Sequence, residues 1–222
     1  MFEAIDLGDF EKRTGIRGRN YLHAWSDAEC IVSLRDFKKV TAVQVMPIDY
    51  LTKMLQSVSL AGDLECRLYA KCEIVLARVD PHQVFVGQTF VEKSKIWSLL
   101  NEFTNVFKGF CVTRGTAKCG ALMALGETHS GVLAIGHYVP PIIEQHAIGT
   151  LLLDGLHRSF LQKQIGTTGE SVVVRGVERR FPCSVHSWVD VVPVDEKPEK
   201  SKRFFDLEPA LFRDVKSVGI DG

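Results

Sequence analysis

The sequence predicts an α+β fold: a small mixed sheet flanked by helices, with an α/β extension at the N-terminal end. Three observations carry this expectation. Apolar residues alternate at period two through Val40 to Met46 and Arg67 to Val79, as half-buried strands require. They recur at helical spacing in Ile48, Leu51, Leu55 and Val58 and again in Ile96, Leu99, Leu100 and Phe103. With 222 residues and 45% hydrophobic content, the chain can also bury a core as one large or two small domains.

Taken in order, residues 1–65 form the extension. Lys12, Arg13, Arg17 and Arg19, spaced with Gly15 and Gly18, make a basic arm that is better read as solvated than as a phosphate contact. Ser26 and Glu29 form a capping-box pattern, and Ile31, Leu34 and Phe37 follow, which predicts a helix over 26–38. A strand over 40–46 and a helix opened by Pro47 come next. This unit either extends the main sheet or forms a lid.

Residues 66–195 form the main domain. Asp80-Pro81 ends the strand that starts at Arg67, with Val84 to Val86 as a short continuation. Thr89 and Glu92 give a second capping box, opening an amphipathic helix that runs through Ile96 to Phe107. Trp97 is expected to pack in the core there rather than to stack on a base.

Between Gly109 and Gly136 the chain is rich in small residues and holds Cys111, Arg114, Lys118, Cys119, Glu127 and His129. Thiolate and imidazole suit zinc, but Cys111, Cys119, His129 and His137 follow no zinc spacing, so a metal site there is set aside. Arg114 and Lys118 are read as solvated before they are read as phosphate ligands.

Leu151 to Leu153 are continuously apolar, the signature of a strand covered on both faces. Asp154-Gly155 breaks the run, and Leu156, Phe160, Leu161 and Ile165 then recur at helical spacing up to Gly166. Strand, tight turn and helix follow. Ser171 to Arg175 is a further strand, Glu178 to Arg180 a charged connection, and Phe181 to Val194 the last strand. In the tail, 196–222, Lys197 to Arg203 is a linker by composition, while Phe204, Phe205, Leu207, Leu211, Phe212 and Val215 are too apolar to be left free. That segment should dock on the body or on a second subunit, which would make a homodimer.

The strand-to-helix turn is the candidate site. The first N–H groups of a helix lack partners and carry partial positive charge, which suits a phosphate or carboxylate. Arg158 can grip an oxyanion in bidentate fashion, His157 can donate a hydrogen bond or carry a proton, and Asp154 can cap the helix or hold a metal ion. The structural alternative is that Asp154 is only a cap and Arg158 only a solvated helix residue.

The string Leu153-Asp154-Gly155-Leu156-His157-Arg158, preceded by Tyr138-Val139-Pro140-Pro141-Ile142-Ile143 and followed by Gly166 and an apolar strand, resembles the core of the ParB/sulfiredoxin-like superfamily over roughly 72–194. The resemblance implies that Gly155, Leu156, His157, Arg158 and Ser159 bind the phosphates of ATP, ADP or CTP with Mg2+. It implies catalytic roles for Asp154 and His157, with Asp154 also holding the metal. A glutamate upstream of the motif is the general base in serine kinases of this superfamily, for which Glu127 and Glu144 are the nearest candidates and Glu144 is the choice taken forward. Leu156 stands where a sulfiredoxin has its catalytic cysteine, and no helix-turn-helix follows the motif as in a partitioning protein. The implied activity is that of a phosphotransferase or NTPase acting on a nucleotide and a small-molecule acceptor.

Charge weighs between the alternatives. Twenty-seven basic residues balance 27 acidic ones, which disfavours a sequence-blind grip on nucleic acid, although a local patch can hide in the sum. A DNA-binding protein or nuclease of a modification or defence system is the second expectation, with Lys12 to Arg19 and Arg175 to Arg180 as phosphate contacts. A nucleotide-gated interaction module without turnover is the third. The six cysteines show no paired spacing and no signal peptide or long apolar span is found, which predicts reduced, packing thiols in a cytoplasmic protein with no membrane partner.

Overall fold

The computed structural model describes residues 2–106 and 120–221, with the side chains of 100–106 and 200 left aside. The chain begins with β1 (Ile5–Asp6) and α1 (Leu7–Thr14). Asp6 caps that helix by accepting from the N–H groups of Gly8 and Asp9, and Gly15, at φ 67°, ends it. After two short 3-10 turns come β2 (Cys30–Val32) and β3 (Phe37–Val45). The helix expected over 26–38 is therefore absent. Ile31 is fully buried and Val32 nearly so, and β-branched residues covered by neighbouring strands are better served by extended backbone than by a helix.

Pro47 is the N-cap of α2 (Ile48–Gln56). Its buried face is Tyr50, Leu51, Met54 and Leu55, with Ile48 half exposed. Of the strand expected over 67–79, residues 73–79 form one and 68–72 do not. β4 (Ser59–Leu60) pairs with β5 (Asp63–Arg67), and a turn carrying the buried Tyr69 leads to β6 (Glu73–Val79). β7 (Phe85–Val86) and β8 (Phe90–Glu92) precede α3 (Lys93–Val106). Residues 90–92, expected as the first turn of this helix, are extended instead. Trp97 is 68% exposed, so it is not the core residue that the pattern implied. Cys111, Arg114, Lys118, Cys119 and Phe107 lie outside the described residues.

The second half supplies β9 (Leu122–Thr128), β10 (Leu133–Tyr138), β11 (Ile142–His146), β12 (Gly149–Asp154), α4 (Leu156–Gln164) and β13 (Gly169–Arg175). The expected long strand over 181–194 is reduced to β14 (Val192–Val194), which pairs with β8. A single turn, α5 (Lys200–Arg203), follows.

Two five-stranded mixed sheets, in the orders β1-β2-β10-β9-β3 and β6-β13-β11-β12-β7, make this an α+β protein. The largest apolar cluster gathers Phe10, Trp25, Ile31, Tyr50, Leu51 and Ile135 with Ile142, Val172 and Val174 of the second sheet. A second cluster packs Ile143, Leu152 and Val86 against Leu156 and Phe160 of α4. Because β1, β2 and β3 share a sheet with β9 and β10, the boundary expected between residues 65 and 66 does not coincide with a boundary between sheets.

The C-terminal segment packs along the body. Ala61 N–H donates to the Phe212 carbonyl, Asp214 N–H to the Ser59 carbonyl, and Val218 and Ile220 are buried. Arg213 enters the interior and makes a bidentate pair with Glu144, at 2.8 Å from Nε to Oε1 and 2.9 Å from Nη2 to Oε2. Among the described residues no helix is long and apolar enough to cross a membrane.

Candidate functional site

The two stretches that carry the resemblance meet in space. Pro140-Pro141 turns the chain from β10 of one sheet into β11 of the other, and Gly155 lies against that corner. Gly155 has φ 89°, and a Cβ there would stand 2.9 Å from Pro141 Cα, so both conformation and space demand glycine. Arg158 Nη1 donates to the Val139 carbonyl, Nη2 donates to Asp154 Oδ2 at 2.9 Å, and the guanidinium lies 5.4 Å from the centre of the Tyr138 ring. Arg158 thus ties the helix start to the inter-sheet corner as well as facing the cleft.

The N-terminal end of α4 is left open. Gly155 is its N-cap, and among the described residues no side chain caps it. Asp154, expected either to cap the helix or to hold a metal, pairs with Arg158 instead. The first N–H groups of the helix are therefore unclaimed by any capping side chain, at the positive end of its dipole.

Above this end lies a cleft of about 260 Å³. Among the described residues five cationic side chains line it, Arg35, Lys95, Arg158, Lys197 and Arg203, against the carboxylates of Asp154 and Asp221. Lys95 and Lys197 share one further carboxylate, Glu92, at 3.8 and 3.9 Å. Burial lowers the pKa of the Lys197 ammonium, and the charges of Lys95 and Arg203 lower it further. Arg203 Nε is buried with no hydrogen-bond partner among the described residues, an arrangement that is costly unless an acceptor arrives.

His157 lines the same cleft, and its Nε2 accepts from the Glu92 N–H at 3.0 Å. The ring proton therefore sits on Nδ1. Burial, followed by Lys95, Lys197, Arg35 and Arg158, lowers its pKa to about 4. At neutral pH His157 is a neutral hydrogen-bond donor rather than a proton carrier.

Of the residues expected at the site, Asp154, Gly155, Leu156, His157 and Arg158 line the cleft. Ser159 does not: it is 5% exposed, on the core side of α4. Glu144 is not brought there either. It is fully buried and its oxygens are taken by Arg213, Tyr69 and His146. Burial alone would raise its pKa, but the His146 hydrogen bond and the Arg213 charge hold it below the ordinary range. With both oxygens so occupied, it has no lone pair directed at a substrate in the cleft.

Glu127 is on β9, paired with Lys38 at 3.8 Å. His137 lines the cleft but its ring bonds Tyr50 at 2.9 Å and the Gly219 carbonyl at 3.3 Å, and burial lowers its pKa to about 4. Among the described residues no three His, Cys, Asp or Glu are placed to share a metal ion. Cys30, Cys66, Cys72 and Cys183 are free thiols.

Sequence reasoning missed Arg35, Lys95, Lys197 and Arg203. They come from three separate places in the chain, and Lys197 and Arg203 sit in the run read as a linker. No family model, curated protein or solved structure matches the chain.

Proposed function

We propose that this cleft binds the phosphates of a nucleotide, ATP, ADP or CTP, with Mg2+, and that the protein is a phosphotransferase or NTPase. The observation that carries the reading is the convergence of five cationic side chains on an uncapped helix N-terminus. Polyanionic phosphate would supply acceptors for the helix N–H groups and for Arg203 Nε, and negative charge beyond the Glu92 carboxylate that Lys95 and Lys197 share. His157 Nδ1–H would donate to a phosphoryl oxygen. Arg158, braced by Asp154 and Val139, would present its guanidinium in a fixed orientation. Mg2+ commonly keeps several waters and takes its remaining ligands from phosphates, so Asp154 would serve as a single carboxylate beside it. Phosphoryl transfer rests mainly on such positioning and charge neutralisation.

The test is calorimetric titration of ATP, ADP, CTP and GTP, with and without Mg2+, against the parent, Lys95→Ala and Lys197→Ala. One nucleotide should bind, and each substitution should weaken it roughly tenfold or more without loss of folding, since both lysines are partly exposed. Analysis for a phosphorylated acceptor or for free phosphate then separates transfer from hydrolysis. Silence with all four nucleotides would remove the reading.

A further inference from the structure

A second cavity of about 230 Å³ adjoins the cleft and shares Gln88, Leu153, Asp154 and Leu156 with it. Its other walls are chiefly apolar and aromatic, with Phe181, Phe204, Phe212 and Val215 among them. Phe204 and Phe212 meet edge to face, their ring centres 5.4 Å apart at 83°. Two cations also face it: Lys216, whose side chain is exposed to solvent, and Arg213, whose Nε and both Nη atoms are bonded to Glu144 and to the Leu211 and Arg180 carbonyls. Four of the five Arg213 N–H groups are engaged in these bonds, and the guanidinium packs over the Phe181 ring, 5.6 Å from its centre. Gly87 also lines it, and a Cβ there would come within 2.7 Å of Cys183 Sγ and 3.0 Å of Phe181, so a side chain at that position would collide with this wall.

The two cavities thus differ in character along one shared wall: five cations gather beside the α4 N-terminus, while beyond it apolar and aromatic side chains predominate, with Lys216 and the paired Arg213 at their edge. Gln88 ties them together, its Oε1 accepting from Arg203 Nη1 at 3.1 Å. A ligand that satisfies both has an anionic end and a planar, uncharged ring. Inorganic phosphate or a sugar phosphate would leave the second cavity empty. We infer that the cavity walled by Phe181, Phe204 and Phe212 takes the base of the nucleotide, so that the C-terminal segment completes the site. The inference rests on the phosphate assignment of the cleft. Aromatic faces stack on any base, so this wall contributes affinity more than choice of base.

The experiment compares inorganic tripolyphosphate with ATP and CTP on the full chain and on Phe204→Ala. Tripolyphosphate should bind parent and variant alike. The better nucleotide should bind the parent roughly tenfold tighter or more than tripolyphosphate does, and Phe204→Ala should erase most of that advantage. Saturation-transfer NMR on the parent should show stronger transfer to the base protons than to the ribose, a readout that does not depend on the variant folding. Equal affinity of tripolyphosphate and nucleotide, or transfer confined to the ribose, overturns the base pocket and leaves the phosphate cleft standing. Failure of tripolyphosphate and nucleotides alike to bind overturns both.

Discussion

Gly155 holds the site together through one backbone angle. Its φ of 89° and the 2.9 Å approach to Pro141 mean that Gly155→Ala must both adopt a left-handed conformation and push the inter-sheet corner away. The expected loss is roughly 1–3 kcal/mol or more, measured by urea unfolding. A variant as stable as the parent would show that the turn relaxes freely. His137 and His157 carry a second prediction. Both have pKa values near 4 in the folded protein against an ordinary 6.5. Between those values the unfolded chain binds more protons, so stability is full above about pH 6.5 and falls as pH drops towards 4. The slope is at most about 1.4 kcal/mol per pH unit for each histidine, with the partly exposed His157 giving the smaller share. His137→Gln should flatten the profile measured by urea unfolding between pH 4.5 and 7.5. The glycine and the neighbouring Asp, His and Arg were legible in the sequence because the turn chemistry is local. The Arg158–Asp154 pair was not singled out, although their four-residue spacing permits it, because the same carboxylate fits equally well as a cap.

At the level of elements, strand and helix patterns were readable where local spacing or a continuous apolar run marks them, and failed where only distant partners decide. β3, α2, β12, α4 and β13 all stand where the periodicity put them. β2 did not, since Ile31, Leu34 and Phe37 fit a helix by spacing alone, and only β1 and β10 on either side make residues 30–32 extended. The same blindness to distant partners hid Arg213, an isolated arginine in an apolar tail whose partner lies 69 residues away. Removing one member of a buried, hydrogen-bonded pair strands the other charge at a cost of roughly 3–5 kcal/mol. Arg213→Met should therefore destabilise the protein by about that much and expose 204–222 to limited proteolysis. Glu144→Leu combined with Arg213→Met should cost clearly less than the two single losses added together, as a double-mutant cycle would show. Strict additivity would mean that the two side chains act independently.

Across the whole molecule, a balanced charge and a cationic cleft are compatible because the fold, not the sequence, concentrates the charge. Residues 35, 95, 158, 197 and 203 come from across the chain, and no window of sequence shows them as a cluster. The same long-range construction binds the first third of the chain to the rest. Deleting 1–65 removes β1, β2 and β3 and leaves the β9–β10 hairpin without a neighbour on either edge. It also strips Phe10, Ile16, Trp25, Ile31, Tyr50 and Leu51 from the largest cluster. Burial of six such side chains, at roughly 1.5–3 kcal/mol each, is comparable with the entire net stability of a domain, roughly 5–15 kcal/mol. The fragment 66–222 should therefore show no cooperative thermal transition by circular dichroism and no fixed aromatic signal in the near ultraviolet. A sharp transition in that fragment would mean that the second sheet and α4 fold by themselves, with the first sheet acting only as a cover for the cleft.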